Sequence, residues 1–266
     1  MKAGQKKRLF GTNGIRGTPN VDLTPNFAME IGQSIGSYFH AGKIAIATDT
    51  RLTGAMIQAA VGSGIMSTGT ELVALGILPT PALQFYCRTH SLYGVMITAS
   101  HNPPQFNGIK CIDKDGTELS EENEIGVEEV YFSKKFTVTD WSKCGTLRQD
   151  NSADNAYVSA IIERVDAPAI SRSNFRIAFD AGNGASYQTT PAMLSALGAQ
   201  VVSLNCNADG RFTSRESEPK PENLTSLLGL VKSGHFDLGI AHDGDADRTV
   251  FIDEKGSFID GDKTLS

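Results

Sequence analysis

Long apolar runs are missing from this 266-residue chain: none approaches the 18 or more residues of a membrane span. An excess of positive charge is missing too. Its 24 Lys and Arg against 30 Asp and Glu leave a net charge of −6, which excludes the basic footprint of a non-specific nucleic-acid binder. The basic start MKAGQKKR runs into a glycine-rich stretch rather than an apolar h-region, so no ordinary signal peptide is expected. Cysteine is scarce. Cys87, Cys111, Cys144 and Cys206 show neither CxxC nor a Cys/His zinc spacing, and a chain of this length needs no disulfide staples. They read as reduced core or surface thiols of a cytoplasmic protein.

What is present describes a soluble α/β chain. An apolar fraction of 40% can bury a real core, and 20% charged residues is ordinary for a soluble protein. The 27 glycines, without low complexity, point to many tight strand-to-helix turns. At roughly 100–200 residues per domain, the length fits one large domain or two ordinary ones.

Strand and helix signals alternate along the chain. Thr24 can cap a helix with Pro25 at its first position, running through FAMEIGQSIGSYF. KIAIAT (43–48) reads as a strand, a helix follows near 54–68, and ELVAL is a short strand. PALQFYCR reads as a helix, and YGVMIT (93–98) and NGIKCI as strands. SEENEIGVEEVYF is a helix with acids in its first turn. Residues 134–153 read as a connection between domains. Alternation then restarts: a helix near 154–165, FRIAFD, TPAMLSAL, QVVSL, ENLTSLLGLVK, DLGIAH and TVFIDEKG. This order means βαβ units in two consecutive mixed, largely parallel α/β domains. The expected division is 1–145, 146–253, and 254–266 as the start of a third domain. The chain stops in what reads as a new segment, so a longer protein is expected.

Three loops carry chemistry. In HDGDADR (242–248), Asp243, Asp245 and Asp247 recur at every second residue, which in an extended loop puts them on one side. Converging carboxylates call for a cation, and all-oxygen ligation suits Mg²⁺, Ca²⁺ or Mn²⁺. An EF-hand is excluded because Arg248 stands where that loop needs glycine and the flanks are strands. In TASHNPPQFNGIK (98–110) an apolar strand breaks into Ser100, His101, Asn102 and two prolines, the end of a strand where ligands sit in open sheets. Ser100 is a candidate nucleophile, with His101, Asn102 and Lys110 as polar neighbours; no G-x-S-x-G elbow is present. A structural turn is the competing reading, because adjacent Ser and His side chains usually point apart. The third loop, FGTNGIRG (10–17), frees backbone N–H groups for an anion beside Arg16, but matches neither nucleotide-loop pattern, and a glycine-rich arm accounts for it equally. FDAGNGAS (179–186) admits either a phosphate or a tight turn, and RESEP (215–219) reads as a structural lead-in to a helix.

Together FGTNGIRG, TASHNPPQFNGIK and GIAHDGDADR resemble the α-D-phosphohexomutases, the superfamily of phosphoglucomutase, phosphomannomutase and phosphoglucosamine mutase. The resemblance runs over the whole chain, and GDKTL is similar to the family's entry into its third domain. It implies four domains, of which this chain holds the first two. It also implies a cytoplasmic isomerase that exchanges hexose 1- and 6-phosphates through a phosphoserine at Ser100 and a hexose bisphosphate. Mg²⁺ would lie on Asp243, Asp245, Asp247 and the Ser100 phosphoryl group. Lys110 is implied as general acid/base, with His101 as helper or alternative, and Arg16, Arg248 and Asn102 as phosphate-binding residues. The implied partner is a small hexose phosphate, with no nucleic acid and no membrane. The family's Gly-Glu-x-Ser sugar loop and its Arg/Ser/Thr phosphate clamp do not occur in this sequence, so the hexose is not readable. Two competing readings share these residues: a non-catalytic metal- or phosphosugar-binding module, and a metal-dependent phosphatase in which water discharges the phosphoserine.

Overall fold

The computed structural model describes residues 9–12 and 14–264. The basic start, Asn13 of FGTNGIRG and the last two residues of GDKTLS lie outside them. The chain divides into two compact units. The first runs to Ile77 and takes in Ala82–Ala99 and Gln105–Ala153; the second comprises Leu78–Pro81, Ser100–Pro104 and the chain from Asp154 onward. No helix of the described residues is long and apolar enough to cross a membrane.

The first unit is built on a six-stranded sheet of β1 (Ile15–Gly17), β2 (Lys43–Thr48), β3 (Glu71–Ile77), β4 (Tyr93–Ile97), β5 (Asn107–Ile112) and β6 (Leu147–Gln149), in the order β1-β5-β4-β2-β3-β6. The β2–β3, β2–β4 and β3–β6 pairs are parallel, while β5 runs antiparallel to both β4 and β1. Helices α1 (Pro25–Phe39), α2 (Gly54–Ser67), α3 (Thr80–His90) and α4 (Glu121–Ser133) complete its framework. The α1 start follows local chemistry: the Thr24 hydroxyl accepts the Phe27 N–H, and Pro25 sits where no amide donor is needed. Isoleucines at 31, 35, 44, 46, 57 and 65 form the centre of a buried cluster against this sheet.

The helices α1 and α2 approach each other through glycine. A Cβ placed on Gly32 would run into the Val61 carbonyl, and one on Gly64 into the Met29 carbonyl. Each glycine lies against the backbone of the other helix, so neither position has a flexible neighbour that could yield.

The second sheet contains β7 (Arg176–Asp180), β8 (Gln200–Leu204), β9 (Leu238–His242), β10 (Thr249–Ile252) and β11 (Phe258–Ile259), in the order β11-β10-β9-β7-β8. β7 is parallel to β8 and β9; β10 is antiparallel to β9 and to β11. Helices α5 (Ala153–Ile162), α6 (Ala167–Ser173), α7 (Thr189–Ala196), α8 (Thr225–Gly234) and α9 (Gly261–Thr264) belong to this half of the chain. Strand alternation assigns the core. Ile177 and Phe179 pack with Leu194 of α7, whereas Ala178 packs with Leu227 and Val231 of α8.

Three features depart from the sequence expectation. The segment expected as a connection contains β6, which pairs with β3 as an edge strand, and a 3₁₀ turn at Trp141–Lys143. The helix expected near 154–165 is α5, but a further short helix, α6, follows it, because Asp166 caps a new start ahead of Pro168. The glycine-rich arm is β1 itself, held at the sheet edge, and the Glu128 carboxylate of α4 accepts the N–H groups of Leu9 and Phe10 just before it.

Gly32→Ala is expected to destabilise the protein by about 1–3 kcal/mol through overpacking. Gly229→Ala, on α8 with nothing near its missing side chain, should instead be neutral or stabilise by about 0.4–1 kcal/mol. Denaturant unfolding of the two variants separates these outcomes. Thiol reactivity is ordered as well: burial pushes Cys87 and Cys111 up to about 12, whereas Cys144 is exposed. Alkylation of the native protein followed by peptide mass mapping should find Cys144 modified first and the two buried thiols protected until unfolding.

Candidate active site and metal centre

The acidic loop is the hairpin between β9 and β10. Thr249 pairs with His242, and six residues cross between the strands. The turn closes on its own backbone, with the Ala246 N–H donating to the Asp243 carbonyl and the Arg248 N–H to Asp243 Oδ1. Asp243 and Asp245 are buried and Asp247 is exposed, and one ligand oxygen from each lies within 4.8 Å of the others. Burial first, then the charges of Asp245 and Asp247, hold the Asp243 carboxyl well above the ordinary range. Two desolvated carboxylates and a third at the rim form an all-oxygen donor set suited to a hard divalent cation, so the residues fit the metal expected from the sequence.

Ser100 lies against this loop. Its Oγ donates to Asp243 Oδ2 at 2.8 Å, and its side chain is buried. Its φ of +50° is a left-handed conformation uncommon for serine, a strain that persists only where surroundings fix it. Two contacts fix it. Ser217 Oγ donates to the Ser100 carbonyl at 3.0 Å. Gly244 meets that same carbonyl, which a Cβ would approach to 2.6 Å. The glycine of HDGDADR is therefore required by the serine loop's backbone. The left-handed turn also brings His101 Nδ1 to 3.3 Å from Ser100 Oγ, although the two residues are adjacent.

Other side chains hold the loop in place. Thr80 donates its hydroxyl to Asp245 Oδ2 at 2.6 Å and its N–H to the Asp245 carbonyl, fixing the carboxylate and the backbone of the central aspartate. Arg215 pairs with Asp180 at 3.1 Å and donates to the His242 carbonyl at 2.6 Å, tying β7, the 215–218 segment and the end of β9 together. Burial, with the Arg215 cation second, pushes His242 down to about 4, so its ring is neutral at physiological pH. The 179–186 turn serves the same end, with the Ala185 N–H donating to the Gly244 carbonyl. Its glycines make a tight turn behind the acidic loop. Glu218 accepts from Arg248 Nη1 at 2.5 Å and lies 3.8 Å from His101 Nε2.

The structure thus brings Ser100, His101, Asp243, Asp245, Asp247 and Arg248 together within the second unit. Asn102 follows on the same loop, half-buried. Arg16 and Lys110 are in the first unit, on β1 and β5. Arg16 is opposite Gly108, so the two-residue strand period puts it on the same face as Lys110. Lys110 is buried and paired with Glu118 at 2.6 Å. Also in the first unit, a buried Asp49–Arg51 pair anchors the stems of the serine loop. Thr98 at the entry donates to Asp49 Oδ2, and Arg51 donates to the Phe106 carbonyl at the exit.

Thr80, Arg215, Ser217, Glu218 and Asp49 were not singled out as functional from the sequence. RESEP, which reads from the sequence as a structural lead-in to a helix, holds Arg215, Ser217 and Glu218.

The fold and the site together are those of a two-unit α/β protein with a buried serine bonded into a triple-carboxylate loop. The chain belongs to the phosphoglucomutase/phosphomannomutase family: residues 7–138 match its alpha/beta/alpha domain I and residues 155–256 its domain II. It is 43% identical over 265 residues to a phosphoglucomutase/phosphomannomutase of Thermococcus kodakarensis, covering 97% of this chain and 58% of that one. It is 40% identical over 259 residues to a phosphopentomutase of the same organism, covering 97% and 56%. The crystal structure of a phosphoglucomutase/phosphomannomutase family protein from Burkholderia thailandensis superposes with a TM-score of 0.84 at 26% identity, over 94% of this chain and 56% of that one. The chain spans a little over half the length of the curated relatives it matches.

Metal binding should be visible as stability. Mg²⁺ at a hundred times its dissociation constant stabilises a folded state by about 2.7 kcal/mol, so the melting temperature should rise with MgCl₂ and Asp245→Asn should remove most of that rise. The pH dependence follows from Asp243. Its folded-state pKa is raised, so the folded state binds the extra proton. Metal-free stability should fall as pH climbs from the ordinary carboxylate value through the raised one, and Asp243→Asn should flatten that fall.

Proposed function

We propose that the chain is the phosphoserine- and metal-bearing half of a phosphohexomutase, with 1–145 as domain I, 146–253 as domain II and 254–266 opening a third domain. The observation that carries this reading is the Ser100 Oγ bonded at 2.8 Å to Asp243, a buried carboxylate of the acidic loop held well above its ordinary range. Such a serine is positioned for phosphorylation where charge can be neutralised. The substrate class is a sugar phosphate, with hexose 1- and 6-phosphates first. The phosphopentomutase relative makes a pentose phosphate the natural comparison.

The reaction balances on this chain's own residues. In the first half, a free sugar hydroxyl attacks the phosphorus carried on Ser100; the new P–O bond forms as the P–Oγ bond breaks. A general acid/base takes the hydroxyl proton and returns one to Ser100 Oγ, the role proposed for Lys110 entering as a neutral amine, with His101 as its helper or alternative. The product is a sugar bisphosphate. After it reorients, Ser100 Oγ attacks the other phosphorus, both proton transfers run backwards, and phosphoserine is restored with no net phosphate consumed. Arg16, Arg248 and Asn102 hold phosphoryl oxygens, the arginines through forked contacts. Asp243, Asp245, Asp247 and an oxygen at Ser100 would hold Mg²⁺, which when bound would supply charge neutralisation of the transferring group.

Ser100→Ala in the full natural chain should abolish turnover of glucose 1-phosphate in the presence of glucose 1,6-bisphosphate. It should also remove any phosphate that intact-mass and peptide mapping place on Ser100. Wild-type turnover by that variant would rule the mutase reading out. Phosphate release matching isomerisation would favour the phosphatase instead.

A further inference from the structure

We propose that Glu218 is a positioning residue for phosphoryl transfer, one carboxylate holding both His101 and Arg248 in place at the nucleophile. The inference rests on the phosphoryl-transfer reading. Its first support is the division of the carboxylate: Oε1 accepts from Arg248 Nη1 at 2.5 Å, while Oε2 faces His101 Nε2 at 3.8 Å. His101 is consequently addressed from both ring nitrogens, since Nδ1 lies 3.3 Å from Ser100 Oγ.

Arg248 makes the second argument. Its side chain is 43% exposed, on a loop whose neighbouring carboxylates offer it other ion pairs. A guanidinium with about 2 kcal/mol of rotamer entropy is only useful to a phosphoryl group if one direction is selected beforehand. Glu218 selects it with a single terminal nitrogen and leaves the rest of the fork for other acceptors.

Glu218 is itself held by its backbone. Its carbonyl accepts from Asn223 Nδ2 at 2.8 Å and from the Lys220 N–H at 2.9 Å, and Pro219 and Pro221 stiffen the chain beyond it. The preceding residue, Ser217, donates to the Ser100 carbonyl, so the segment that carries Glu218 is registered directly on the nucleophile's backbone. Arg215 registers the same segment on the end of β9. Three residues of one irregular strap therefore touch the serine loop and the acidic loop, and Glu218 reaches a side chain on each, His101 and Arg248.

The test compares Glu218→Ala and Glu218→Gln with wild type in the full natural chain, using glucose 1-phosphate and glucose 1,6-bisphosphate with Mg²⁺. Misplacing reacting groups by about an ångström costs up to about 100-fold. The expected result is a 10- to 100-fold loss of kcat per folded molecule, with KM changed less than threefold and the melting temperature within a few degrees of wild type. Glu218→Gln, which still accepts from one partner, should lose less than Glu218→Ala. Wild-type kcat overturns the proposal, as does a rise in KM alone or a fall in melting temperature with kcat per folded molecule unchanged. Ser100→Ala run alongside separates the two claims: if it is inactive while Glu218→Ala is fully active, the positioning role fails and the mutase reading stands.

Discussion

Three carboxylate oxygens within 4.8 Å of one another, two of them on buried residues, are an arrangement that a protein interior resists. Much of the second unit can be understood as what holds it. Thr80 binds Asp245 through both its hydroxyl and its amide. The Asp180–Arg215 pair locks the end of β9, and the 179–186 turn supports Gly244 from behind. A buried ion pair is a doubtful source of stability, because desolvation offsets its attraction. Its value here is directional: Arg215 spends its donors on fixed carbonyls, including that of His242 at the mouth of the acidic loop.

The serine loop answers the same constraint from the other side. Its stems are tied by Asp49 and Arg51, while its tip is pinned by Ser217 and by the missing side chain of Gly244. A left-handed serine is tolerable because so many contacts determine it. The result is a hydroxyl aimed at Asp243 and a neighbouring imidazole turned toward the same oxygen, a geometry that an extended backbone at this position would deny.

The elements built from local chemistry were legible in the sequence. Thr24 and Pro25 announce α1, Ser120 and its acids announce α4, and the alternating residues of FRIAFD announce β7. The acidic loop was legible because its carboxylates are two residues apart. What escaped was assembled at long range. β6 has only three residues, all exposed, and becomes a strand because β3 offers an open edge. Thr80 and Asp245 stand 165 positions apart, Ser217 and Ser100 117 apart, and no local pattern marks either pair. RESEP reads as a lead-in to α8, which it is, but the same residues also meet both functional loops.

The most direct test of this account is anomalous scattering from crystals of the protein grown with Mn²⁺, a metal that accepts the same oxygen ligands and can be located without ambiguity. The account predicts one strong peak within coordination distance of Asp243, Asp245 and Asp247 and next to Ser100 Oγ. A peak elsewhere, or none at this loop at saturating Mn²⁺, would contradict it.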